Sequence, residues 1–413
     1  MRNNGRSISL EIPASSPISL PDLKPPRLDT QKISKIAAQN LEFSPLSANS
    51  AKRAATTLEL CSMLHKYHYL PAWYSETVKT VNISQIKEKI NFIYKAINDI
   101  EKTRLRDEYA TYSLKVGSQQ ENKVLNRYSD ALPYDHTRVV LQTEGADYIN
   151  ASFLTSLDGS KKYIAAQGPV PQSFGDFWQM VWEQNTAVIV MLTKEEEQGR
   201  IKCHRYWPEE IGNSKRYHKM TKTNSICFKI SHSENFTIMN GNLIVREFIV
   251  KREMLLKDDL SEAPELKRIR MIQYTAWPDH DSSDPRQVLS LIDVANEINR
   301  QAEQDYIIYT TSAEKKIGPL VVHCSAGLGR TASFCTIDSV LHLLKSGYTI
   351  YEPGELPAND LVAHTINHFR KQRCGAVQSK SQLQFCYDAI IMRVGDWYYQ
   401  GVPVTWPIVD KIK

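Results

Sequence analysis

The 413-residue chain contains no run approaching the roughly 20 apolar residues that a membrane-spanning helix needs. Its first fifteen residues also lack the apolar stretch of a secretory signal. Both absences predict a protein of the cytoplasm or nucleus. C-x-x-C pairs are missing too. The seven cysteines (Cys61, Cys203, Cys227, Cys324, Cys335, Cys374 and Cys386) are odd in number and scattered, which argues against a disulfide framework or a structural zinc site. Net charge is small, +5 overall, and residues 1–55 hold eight Lys or Arg against four acids, which leaves about one net positive charge on the rest of the chain. Neither a nucleic-acid platform nor a membrane-binding face is indicated, so any anion site has to be assembled locally. No repeat of fixed period is visible. What the chain does have is 42% hydrophobic residues, including 7 Trp, 20 Tyr and 11 Phe, enough for a sizeable core.

Its organisation reads in four parts. Residues 1–55, with 6 of the 19 prolines and nine serines, predict a disordered tail, and 56–82 a connecting segment. Residues 83–397 predict the catalytic domain, and 398–413 a C-terminal extension. Ile83, Ile86, Ile90, Ile93, Ile97 and Ile100 recur at helical spacing and predict an amphipathic helix packed on its own domain. Short, nearly continuous apolar runs at Ala187–Leu192 and Leu320–His323 predict strands covered on both faces. Helices are predicted over Phe174–Glu183, from Pro285 to about Gln301, and over Arg330–Lys345. This mixture predicts an α/β (α+β) fold in which a central, highly twisted mixed sheet is flanked by helices.

The segment that carries chemistry is Pro319-Leu-Val-Val-His323-Cys324-Ser325-Ala326-Gly327-Leu328-Gly329-Arg330-Thr331-Ala332. A buried strand ends at His323 and a helix begins at Arg330. The small residues between them, with two glycines, let backbone N–H groups turn inward as a nest for an anion. The helix start adds its positive dipole end, and Arg330 a guanidinium that holds two oxygens at once. All three favour a thiolate at Cys324, which would act as a nucleophile toward phosphorus through a phosphocysteine intermediate.

The sequence resembles the tyrosine-specific, non-receptor type of protein tyrosine phosphatase over about residues 85–395. The resemblance also rests on Asn126-Arg127-Tyr128-Ser129-Asp130, Asp147-Tyr-Ile-Asn-Ala-Ser152, Tyr163-Ile-Ala-Ala-Gln-Gly-Pro169, Trp277-Pro278-Asp279, and Val377-Gln378 followed by Gln382. Dual-specificity phosphatases share the cradle but generally lack the Asn-Arg-Tyr and double-Gln segments. The resemblance implies Asp279 as general acid and then base, Gln378 with Gln382 positioning the hydrolytic water, and Thr331 easing departure of the thiolate. It gives His323 a supporting hydrogen bond, Tyr128 the wall against the substrate ring, and Asp130 the peptide backbone. Glu197 would orient Arg330, and Lys202 would lie near the acid loop. Arg370 and Arg373 match basic positions with a role in substrate contact or support. No metal and no cofactor are implied. The implied partners are phosphotyrosine proteins, with a protein kinase as a candidate that the tail segment Arg6-Ser-Ile-Ser-Leu10 could dock.

Three positions depart from the family pattern. His280-Asp281-Ser282-Ser283 replaces a Gly-Val-Pro continuation after the acid, which removes easy access to positive φ and places a second carboxylate nearby. Ala332 stands for a usual Gly, and Ser129 for a commonly basic residue, which suggests less preference for acidic flanks. The alternatives are a phosphotyrosine-binding pseudophosphatase, a dual-specificity phosphatase or a sulfurtransferase. The first is disfavoured by the presence of Cys324, Arg330 and Asp279 together, and the last by the Trp-Pro-Asp segment.

Overall fold

The structure, a computed structural model, describes residues 27–42, 83–143, 146–220, 225–254, 266–278, 283–309, 316–350, 356–357, 360–400 and 402. Strands β1 (Arg138–Val140), β2 (Tyr148–Thr155), β3 (Lys162–Ala166) and β4 (Val188–Met191) precede a two-residue-per-arm hairpin, β5 (Glu196–Glu197) and β6 (Arg200–Ile201). Then come β7 (Ser214–Met220), β8 (Ser225–Ile238), β9 (Leu243–Met254), β10 (Leu266–Tyr274) and β11 (Leu320–His323). Among the described residues, nine strands form one mixed sheet in the order β1-β2-β3-β11-β4-β10-β9-β8-β7. The helices are α1 (Thr30–Glu42), α2 (Ile83–Asp107), α3 (Lys115–Ser118), α4 (Phe174–Glu183), α5 (Pro285–Tyr309), α6 (Gly329–Ser346), α7 (Leu361–Arg370) and α8 (Lys380–Tyr399). Among the described residues, no helix is long and apolar enough to cross a membrane.

The reason for the uninterrupted apolar strands is visible in how their side chains divide. Val188, Val190, Leu320 and Val322 enter one core beneath α5, α6 and α8; Ile189, Met191 and Val321 enter the other, with Trp178, Trp182 and Trp207. Each fully buried aliphatic side chain contributes about 1.5–3 kcal/mol. Strand β11 lies between parallel neighbours β3 and β4, and β10 is parallel to β4. Four parallel strands therefore end at one edge, the place where open α/β sheets gather their ligands. The segments leaving these ends are Gln167-Gly168-Pro169, the Cys324 cradle, Thr193–Glu197 and Trp277-Pro278.

Two sequence expectations need adjustment. Residues 1–55 do not form a single disordered tail, because Thr30–Glu42 is a helix lying on α5. Asp29 accepts a hydrogen bond from the Lys32 amide as an N-terminal cap, Ile33 and Ala37 are buried in the core, and Lys32 pairs with Glu297 at 2.9 Å. Its apolar residues looked dispersed because only a narrow stripe is buried. Helix α5 also runs on from Gln301 to Tyr309, where Asp305 pairs with Arg270 of β10, a tertiary partner outside the periodicity. The isoleucine stripe behaves as expected: Ile90, Ile93 and Ile97 are buried in the shared core. Residues 1–26, the whole of the 56–82 connection and most of 398–413 lie outside the described residues.

Candidate active site

The cradle is built on glycines that other groups approach closely. Gly327 has φ +72°, and a Cβ there would sit 2.2 Å from the Ala166 carbonyl oxygen, so both conformation and space demand glycine. A Cβ on Gly329 would fall 2.5 Å from Gln382 Nε2 and 3.0 Å from Gln378 Oε1, and one on Gly168 would fall 2.7 Å from the Cys324 carbonyl. From behind, the buried Arg373 clamps the loop: Nε donates to the Gly327 carbonyl at 2.9 Å and Nη2 to the Ala326 carbonyl at 3.1 Å. The same guanidinium reaches Asn150 and Ser152 of β2. Helix α6 then begins at Gly329.

Cys324 lies at the end of β11, 4% exposed. Burial alone would push its thiol up, but the Arg330 guanidinium, the Thr331 hydroxyl and the amides of Thr331 and Gly327 act together to bring it below the ordinary cysteine value. Other described cysteines go the opposite way: burial raises Cys203 and Cys386 to about 12 and also raises Cys227, Cys335 and Cys374. His323 is fully buried, and burial lowers it to about 4, so the ring is neutral at pH 7. Its Nδ1 lies 3.2 Å from the Cys324 carbonyl and its Nε2 2.8 Å from the Tyr206 hydroxyl. Its contact is with the main chain of the loop.

The side chain of Arg330 is buried, and its Nη1 donates to Glu197 Oε1 at 2.7 Å and to the Trp277 carbonyl at 2.9 Å. Glu197 is thus not part of a merely solvated acidic run. Thr193 Oγ1 donates to the same carboxylate oxygen at 2.7 Å. Trp277 is buried against Phe385 and Tyr274. Pro278 follows it on the surface. Asp279, together with His280, Asp281 and Ser282, lies outside the described residues.

Above the cradle opens a cleft of about 460 Å³, lined by Tyr128, Asp130, Lys202, Gln378, Gln382 and the cradle itself, including Ser325, Ala326, Leu328 and Gly329. Asn126 and Arg127 are structural: Asn126 ties together α3, the 3₁₀ turn before it and β2, while Arg127 donates to the carbonyls of Gly168 and Pro169. Tyr128 consequently faces the cleft. Ser325 Oγ spends its proton on the Lys202 carbonyl at 2.9 Å and accepts from the Tyr128 hydroxyl at 2.9 Å. The Gln378 amide donates to Gln382 Oε1 at 2.9 Å, and the Tyr94 hydroxyl donates to the Gln378 carbonyl at 2.5 Å. Arg370 holds this segment from inside by donating to the carbonyls of Ala376 and Val377 and pairing with Glu101. Sequence reasoning left Arg373 open between substrate contact and support; its burial and partners make it support. It missed Tyr206, Arg200 and Ile201 as parts of the site. For the last two the signal was present, since they directly precede Lys202 on β6.

Residues 122–392 match the sequence profile of the Protein-tyrosine phosphatase family. The mouse tyrosine-protein phosphatase non-receptor type 13 is 38% identical over 279 residues, covering 67% of this chain and 10% of its own. The mouse type 20 protein is 32% identical over 317 residues, covering 75% of this chain and 62% of its own. This chain therefore spans from a tenth to under two thirds of the length of these relatives. A solved structure of PTPN18 in complex with HER2-pY1248 phosphopeptides matches 73% of this chain and 98% of its own at 31% identity, with a TM-score of 0.56. A strand-to-helix anion cradle, the segments around it and these likenesses agree, and the chain belongs to the protein-tyrosine phosphatase family.

Proposed function

We propose that the protein hydrolyses phosphotyrosine in proteins without a metal. The observation that carries this is the buried Cys324 thiol held below its ordinary pKa by Arg330 and inward-facing donors, at the floor of an aromatic-walled cleft. The thiolate attacks phosphorus; a sulfur–phosphorus bond forms as the bond to the tyrosine oxygen breaks, and Asp279 gives that oxygen its proton. Water, positioned by Gln378 with Gln382, then attacks the phosphocysteine while Asp279 takes up a proton. Phosphate leaves, and Thr331 stabilises the returning thiolate. Arg330 holds the equatorial oxygens throughout, with Glu197 fixing its plane. Tyr128 lines a slot deep enough that phosphotyrosine reaches Cys324 and the shorter phosphoserine does not, and Asp130 holds the peptide backbone. Turnover of a phosphotyrosyl peptide in the presence of chelator, with none of its phosphoseryl counterpart, is the expected result; equal turnover of both would contradict the slot.

Asp279 is supported by reach. Trp277 is anchored to Arg330 through its carbonyl, and two further residues span at most about 7 Å. Asp279→Ala is expected to lower kcat by at least about a hundredfold while substrate still binds. If Asp281→Ala gave that loss and Asp279→Ala did not, the neighbouring carboxylate would be the acid.

The protein would act in the cytoplasm or nucleus, with a protein kinase as a candidate substrate docked by the tail. Capture by the Asp279→Ala protein identifies what binds. Because α1 is part of the folded core, the tail is best removed only as far as residue 26. An unchanged set of captured proteins after that truncation would contradict docking.

A further inference from the structure

Among the described residues, no carboxylate pairs with the cation that the β5–β6 hairpin presents to the cleft. Its two-residue turn has both central residues at positive φ, Gln198 at +52° and Gly199 at +72°, the twist that matches a tight antiparallel hairpin. Its base is pinned: the amides of Lys202 and Cys203 donate to the Glu195 carbonyl, Arg205 pairs with the Glu195 carboxylate at 2.9 Å, and Ser325 Oγ ties the Lys202 carbonyl to the cradle. Arg200 and Ile201 on its second arm line the cleft and are both exposed, Ile201 by 55%. The carboxylate opposite Arg200 in the hairpin is Glu197, which is committed to Arg330 and Thr193. Among the described residues, Arg200 has no carboxylate within 4 Å. Asp130, which also lines the cleft, is likewise exposed and without an ion pair among the described residues. The cleft lining therefore carries an exposed cation and an exposed anion, each without an ion-pair partner among the described residues.

Resting on the phosphatase reading above, we propose that Arg200 is a substrate-specificity residue that pairs with an acidic side chain close to the phosphotyrosine, with Ile201 covering the aliphatic part of that side chain. Such selectivity cannot come from the position before Asp130, which is Ser129 rather than a basic residue. It comes instead from the β5–β6 hairpin, and the separate positions of the Arg200 and Asp130 charges in the cleft lining fix which way the peptide lies.

The test is a set of phosphotyrosyl peptides in which each flanking position in turn carries Glu or Lys, assayed with wild type, Arg200→Ala, Arg200→Glu and Arg200→Lys. The quantity read is the Glu-to-Lys ratio of kcat/KM at each position, which cancels any general loss of activity or of folded protein. In the wild type the ratio is expected to be about fivefold or more at one or two positions, the scale of a single partly exposed ion pair, and to shrink as salt is raised. It should fall toward one in Arg200→Ala, invert in Arg200→Glu and be largely restored in Arg200→Lys. A wild-type ratio near one everywhere, or one that Arg200→Glu leaves unchanged, overturns the proposal. A ratio altered equally at every position also overturns it, since that is the signature of a long-range field rather than a contact. Failure of the wild type to hydrolyse a simple aryl phosphate would instead remove the phosphatase reading, and this proposal with it, so the two failures are distinguishable.

Discussion

Cys324→Ser is expected to reduce turnover of phosphotyrosyl peptides by at least about a thousandfold while leaving peptide binding measurable, because the nucleophile and its low pKa are lost together. A serine hydroxyl is not ionised by the donors that suffice for a thiol. The fold around it should persist: the sulfur is replaced by a smaller atom, and the loop is held by Arg373 through the carbonyls of Ala326 and Gly327 and by His323 through the carbonyl of residue 324. Kinetics with an aryl phosphate, alongside titration of a phosphotyrosyl peptide into the inactive protein, separate the two effects. Equal rates in wild type and variant would remove Cys324 from the chemistry.

The second large effect is expected at Arg330. Its guanidinium is buried, pairs with Glu197, and is the foremost favourable influence on the Cys324 thiolate. Arg330→Ala therefore removes the clamp on the phosphoryl oxygens and, with it, much of the force that ionises the sulfur. It also leaves the half-buried Glu197 carboxylate facing an anion site without its partner. A fall in kcat/KM of about a thousandfold is expected, on the scale of losing one preorganised transition-state donor and more. Arg330→Lys should recover only part of it, since an ammonium keeps the charge but not the two parallel donors. The check is a full kcat and KM measurement for both variants. A lysine variant with near wild-type kcat would mean that charge alone is needed and that bidentate geometry is not.

The cradle was legible because its chemistry is local. Cys324, two glycines and Arg330 sit within seven residues, between an apolar strand and a helical period, and the observed strand and helix begin and end within a residue of expectation. Segments such as Asn126-Arg127-Tyr128 were legible as a resemblance, but their division of labour was not. Only the fold reveals that Asn126 and Arg127 hold the backbone while Tyr128 meets the cleft. The long strands β8 and β9 escaped notice because stretches such as Ser231-His-Ser-Glu-Asn235 look like loop, and cross-strand pairing decides their state. Helix α1 was missed for a related reason: two buried residues, Ile33 and Ala37, anchor it, and their partner surface lies more than 250 residues away in sequence. The supporting arginine Arg373 and the histidine partner Tyr206 are tertiary facts with no short-range signature.

The central claim is that one sulfur stays ionised at neutral pH while its neighbours do not. The direct measurement is the pH dependence of alkylation by iodoacetamide, read at each cysteine by peptide mapping. For Cys324 the rate should reach half its maximum well below the pH of about 8.5 typical of a free cysteine, and Arg330→Ala should move that midpoint upward. The buried thiols of Cys203, Cys335 and Cys386 should stay unreactive over the same range. Alkylation of Cys324 only above about pH 8, with a midpoint indifferent to Arg330, would leave the reaction without its nucleophile.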